Sequence, residues 1–180
     1  MSGPHSATEV HVSNAGFRRR AAALAWDLPV IAGWALFAGI IGVALNRPLG
    51  LQPRSPWALD VQAFLTLVLP VILTFAYLEG SGRQATLGKG RVHLVVTDAD
   101  GRPPGFRRAL VRSALKFLPW QLAHTAVFQL AAGSTSLAFV ALSIGAQLLV
   151  SASVLVMAMD ARHRALHDWV AGTRVEERSS

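Results

Sequence analysis

The chain has 180 residues, 52% of them hydrophobic and 15% charged, with a mean hydropathy of +0.41 and a formal net charge of +7. A soluble domain carries about 25% charged residues; here the charges gather between long uncharged runs, which argues for one small multi-pass membrane bundle and against a soluble enzyme or a second domain. The absence of cysteine removes a disulfide framework, a thiolate metal site and a cysteine nucleophile, and basic residues that flank apolar runs point to membrane topology, not to nucleic acid.

Residues 1–17 are small and polar and read as a mobile N-terminal tail. Arg18, Arg19 and Arg20 then open the first apolar run, in which Leu28 to Leu45 gives 18 residues without a formal charge. About 20 apolar residues at ~1.5 Å each cross a hydrocarbon core, so a first span is expected over about 24–45. Asp27 stands at its mouth, and Arg20, seven residues earlier, shares its helix face. A carboxylate there is costly unless it meets a partner, water or an ion. Ala35, Gly39 and Gly42 are small residues suited to close helix packing, as in a homo-oligomer.

Asn46 to Pro56 holds three prolines and a glycine and reads as a loop. A second span follows over about 58–78, with Pro70 expected to kink it and Asp60 expected near water. The segment 79–108 is the largest polar loop. Within it Arg91 to Thr97 suits a short strand and Asp98 to Gly101 a turn. Gly82 to Lys89 invites comparison with a phosphate-binding loop. The comparison fails, because five residues separate Gly82 from Gly88 and Gly90 replaces the hydroxyl residue after Lys89.

Arg108, Arg112 and Lys116 form a basic stripe, after which 43 residues, Phe117 to Met159, carry no Asp, Glu, Lys or Arg. That length fits two segments, about 112–132 and 137–159, joined at Gly133 to Ser136. The first is the more polar and admits a crossing, a re-entrant or an interfacial reading. With four crossings and both termini cytoplasmic, fifteen of the 17 Lys and Arg residues lie inside and two outside, the partition that the positive-inside rule favours. Residues 176–180 read as a C-terminal tail. The expected fold is therefore all-α, an integral membrane bundle of four helices.

His163 and His167, four apart, would share a helix face, a weak metal spacing without a third ligand. The stretch also contains Asp168-Trp-Val-Ala-Gly172-Thr173-Arg-Val175. Taken with Arg20 and Asp27, with Thr86-Leu-Gly-Lys89, and with Gly101 to Arg112, it resembles the RDD family of small bacterial membrane proteins, named for one arginine and two aspartates. Arg20, Asp27 and Asp168 match those three positions. The resemblance covers roughly residues 17–175, although many members are described with three spans.

The resemblance implies a membrane protein of the cell membrane and, for some members, exchange of monovalent cations for protons. The chemistry is compatible: burial favours a neutral carboxyl and a cation favours the carboxylate. Two function classes follow. One is a cation/proton exchanger that uses Arg20, Asp27 and Asp168. The other is a non-transporting membrane component that binds a partner protein or lipid, with the same three residues pinning the C-terminal segment. Lys89, His163 and His167 are weaker site candidates. No metal, cofactor or enzymatic activity is expected, since neither a Gly-x-Ser-x-Gly motif nor paired carboxylates flanking a cleft can be found.

Overall fold

A computed structural model describes residues 15–46 and 48–178, so most of the expected N-terminal tail and the last two residues lie outside the described residues. Helix α1 is Phe17–Asn46, 30 residues. Ser55 caps the next helix by accepting the Ala58 N–H at 3.1 Å, with Pro56 in the first turn, where its missing N–H costs nothing. From there α2 (Pro56–Ala63), a π-helical turn (Phe64–Val68) and α3 (Leu69–Gly80) form one continuous rod. The π turn lies just before Pro70. Proline cannot donate to the carbonyl four residues back, which is that of Thr66. The Trp34 indole of α1 donates to that carbonyl instead, at 3.1 Å. The proline expected to kink the rod thus also provides a hydrogen bond between α1 and the rod.

The polar segment after α3 is structured. It holds the short helix α4 (Leu87–Arg91) and strand β1 (Leu94–Thr97). Helix α5 (Gly105–Ala131) starts inside the segment read as loop and runs through Pro119, so Arg107, Arg108 and Arg112 are helical. Gly133 to Ser136 separates it from α6 (Leu137–Met159), and Ser136 accepts the Ala138 N–H. The short helix α7 (Leu166–Ala171) ends at Gly172, whose φ of +63° suits glycine at a helix end. Strand β2 (Arg174–Glu177) pairs antiparallel with β1, Val96 opposite Val175. Glu176 and Glu177, read from sequence as tail, belong to this strand because Val175 is buried against Leu94 and Val96.

Ala15 N–H donates to the Val175 carbonyl at 3.1 Å. The start of α1, strand β1 and strand β2 therefore meet at one end, called here the polar end. The chain leaves that end along α1, returns along α2–α3, leaves along α5 and returns along α6. Three helices are long and apolar enough to cross a membrane: Phe17–Asn46, Pro56–Gly80 and Leu137–Met159. Helix α5 is not among them, since four cations load its first half and Gln121, His124 and Gln129 its second. The protein is an all-α membrane helical bundle. Ile31, Val68, Val71, Ile72, Phe75 and Phe117 make its main core, with the Phe75 and Phe117 rings edge to face at 5.2 Å. Leu36, Ile40, Val43 and Leu148 point outward, more than half exposed, as side chains that meet acyl chains do.

Candidate functional site

The buried charges gather at the polar end. Asp168 is fully buried at the third position of α7, where one oxygen accepts the Ala165 N–H at 3.2 Å. The same oxygen, Oδ2, accepts Arg20 Nη1 at 2.9 Å. Oδ1 accepts Arg112 Nε at 2.7 Å and the Thr173 hydroxyl at 3.3 Å. Burial by itself would raise the Asp168 pKa, but Arg112 and Arg20 outweigh it and hold the carboxyl well below its usual range. Arg112 continues through Nη1 to Glu79 Oε2, and Glu79 Oε1 accepts Lys89 Nζ at 2.5 Å. Burial draws the Lys89 ammonium below its ordinary pKa, against the opposing pull of Glu79. Arg20, Asp168, Arg112, Glu79 and Lys89 thus form one unbroken chain of alternating charge. It ties α1, α7, α5, α3 and α4 together.

Asp27 stands apart from that chain. It is 3% exposed and accepts the Thr86 hydroxyl at 2.7 Å and the Gly88 N–H at 2.7 Å. Thr86 caps α4 by accepting the Lys89 N–H at 3.3 Å, so its single hydroxyl proton is free for Asp27. Gly88 permits the contact. A Cβ there would lie 2.0 Å from the Ala23 carbonyl oxygen and 2.8 Å from the Asp27 carboxylate. Thr86 and Gly88 therefore dock α4 onto α1, and Lys89 ties it to Glu79 of α3.

The three residues aligned by sequence do not form one triad. Arg20 and Asp168 meet, while Asp27 binds the loop through neutral donors. Lys89 is a full member of the network. His167 lies beside Asp168 at 3.9 Å, and burial pushes its pKa down to about 3, so the ring is neutral near pH 7. His163 does not share a helix face with it. Asp160 takes the backbone N–H groups of Arg162 and Arg164 and turns the chain, which leaves His163 at φ +52° before α7 begins. Among the described residues, no three His, Asp or Glu side chains converge as a metal would need.

Sequence reasoning missed Glu79 and the central place of Arg112. A signal existed: Glu79 ends the second uncharged run, and an acid at a helix end beside a basic stripe calls for a partner. It also misread Asp60, expected near water. Asp60 is buried at the opposite end, accepting Gln121 Nε2 at 2.9 Å and the Thr125 hydroxyl at 2.7 Å.

The RDD family model matches residues 14–172. The chain belongs to the RDD family. No match is found among curated proteins or among solved structures. In this RDD protein a cavity of about 280 Å³ opens among the charged groups, walled by Arg20, Asp27, Lys89, Arg112, Lys116 and His167. Arg20 Nη2 is buried and has no hydrogen-bond partner among the described residues. The Lys116 ammonium sits 4.6 Å from the Phe75 ring centre and 5.4 Å from that of Phe117, with no carboxylate within ion-pair distance among the described residues.

Proposed function

We propose that this RDD-family membrane protein is a non-transporting membrane component that binds a partner at its polar end, the end that the positive-inside rule assigns to the cytoplasm. The observation that carries the reading is the saturation of the network. Asp168 and Glu79 are each held by two cations, and Asp27 by two donors, so these acids brace the cap. An apolar plug also separates the two polar ends. Val68 to Phe75 lies between Asp60 and Glu79 along the second pass, and Phe117 lies between Arg112 and Gln121 along the third.

Exchange of monovalent cations for protons is the second reading. One observation favours it: Asp27 and Asp60 are buried carboxylates without a cation partner among the described residues, one at each end. A homo-oligomer would suit either reading, since a Cβ at Gly39 or Gly42 meets nothing within 4 Å and leaves that stripe open to another helix. Purified protein in vesicles, under sodium or potassium gradients and with a pH-sensitive dye inside, separates the two readings. The expected signal equals that of empty vesicles. A cation-dependent proton signal that Asp27→Asn abolishes in folded protein would establish exchange instead.

A further inference from the structure

A second, larger cavity of about 750 Å³ adjoins the first. It runs between α1, α5 and α6, where α1 leans on α4 and the π turn and stands away from the other two helices. Its walls are almost wholly apolar, including Leu28, Ile31, Leu118, Val127 and Val150. Leu24, Lys116, Val154 and His167 line both cavities, so the smaller cavity, with charged side chains in its wall, opens directly into the larger, apolar groove.

We infer that the two cavities form one site for an anionic membrane lipid, its headgroup beside Arg20 and Lys116 and an acyl chain along the groove. The inference rests on the partner-binding reading above and names the partner. Charge complementarity supports it. Arg20, Lys89 and Arg112 balance the carboxylates Asp27, Glu79 and Asp168, and Lys116 is a fourth basic group with no carboxylate of its own among the described residues, which a phosphate would hold protonated. Arg20 Nη2 has a proton to give and no acceptor among the described residues, and Lys116 has only ring faces. A phosphate oxygen satisfies both with charge-assisted hydrogen bonds. Both Asp27 oxygens are turned to Thr86 and Gly88, and its charge is already counted in that balance. The junction at Lys116 and Val154 sits where headgroup meets chain, and a flexible lysine follows a phosphate at such a boundary. A free phosphate would leave the groove unused.

The test uses the full chain in neutral detergent, titrated with phosphatidylglycerol or phosphatidylcholine and read by native mass spectrometry. Phosphatidylglycerol should be retained one per chain, at least tenfold more tightly than phosphatidylcholine. Lys116→Gln removes no ion pair, and Val154→Trp fills the junction; each should weaken phosphatidylglycerol about tenfold while the melting temperature of the lipid-free protein stays unchanged. Equal retention of the two lipids, or wild-type phosphatidylglycerol binding by folded Lys116→Gln, overturns the inference. So does displacement of the lipid by millimolar inorganic phosphate, which would mean that the groove contributes nothing. Silent vesicles combined with unselective lipid binding defeat the lipid site and leave the partner-binding reading standing. Cation-coupled flux defeats that reading itself.

Discussion

Gly88→Ala tests the contact between α4 and α1 with the smallest perturbation available. The new methyl carbon would start 2.0 Å from the Ala23 carbonyl oxygen and 2.8 Å from Asp27 Cγ, and neither is the loose end of a flexible side chain. Helix α4 must therefore move away, and both 2.7 Å bonds to Asp27 go with it. A hydrogen bond to a charged group contributes about 1.5–3 kcal/mol. Overpacking costs about 1–3 kcal/mol more, and partial relaxation recovers some of the sum. A net loss of about 3–5 kcal/mol is expected. In a chain of this size that lowers the melting temperature by at least about 6 °C. Gly90→Ala on the same helix is the control, since nothing lies within 4 Å of its Cβ position. It should be neutral or gain up to about 1 kcal/mol from helix propensity. Thermal unfolding in detergent, followed by tryptophan fluorescence, reads both. A Gly88→Ala protein that melts with the wild type would refute the docking geometry.

Asp168→Asn leaves Arg20 and Arg112 short of a partner and should cost about 3–5 kcal/mol, whereas Asp27→Asn keeps an acceptor for Gly88 and should cost roughly 1–2 kcal/mol; the same melts rank them, and a reversed order would contradict the network. The His167 pKa falls from 6.5 to about 3 on folding, so the unfolded chain binds the extra proton and stability declines as pH drops through 6.5 toward 3. His167→Gln should remove about 2 kcal/mol of that loss near pH 5, and an unchanged pH profile would show that the ring is not buried neutral. Single cysteines at Asp100 and Arg178 should label from the cytoplasmic side and one at Gln52 from outside; opposite sidedness of Asp100→Cys and Arg178→Cys would break the β1–β2 pairing.

The membrane bundle was legible because uncharged runs of span length are a one-dimensional signal, and α1, the rod ending at Gly80 and α6 are such runs. The strand at Leu94 to Thr97 was legible from its β-branched residues and flanking turn. What the signature residues touch was not. Arg20 and Asp168 are 148 positions apart, and Thr86 reaches back 59 to Asp27. Such distances fix no geometry without the helix crossings between them. Seven-residue spacing put Arg20 and Asp27 on one face, which is true of α1, but it could not say that different elements would claim them. Gly88 was legible only as a residue in a failed phosphate-loop comparison, because a close backbone approach leaves no periodicity to read.

The β1–β2 pairing also fixes an order of events during biosynthesis. Strand β2 and Asp168 are made after α1, the rod, β1, α5 and α6, yet they complete a sheet edge opened at Leu94 and pair with arginines laid down at Arg20 and Arg112. Until they arrive, the membrane holds α1, the rod and α6 with an open strand edge, Arg20 without its carboxylate and Arg112 with Glu79 alone. Docking of α7 and β2 is therefore the step that closes the cap. A chain cut short before Asp168 keeps its apolar helices but cannot close its own cap.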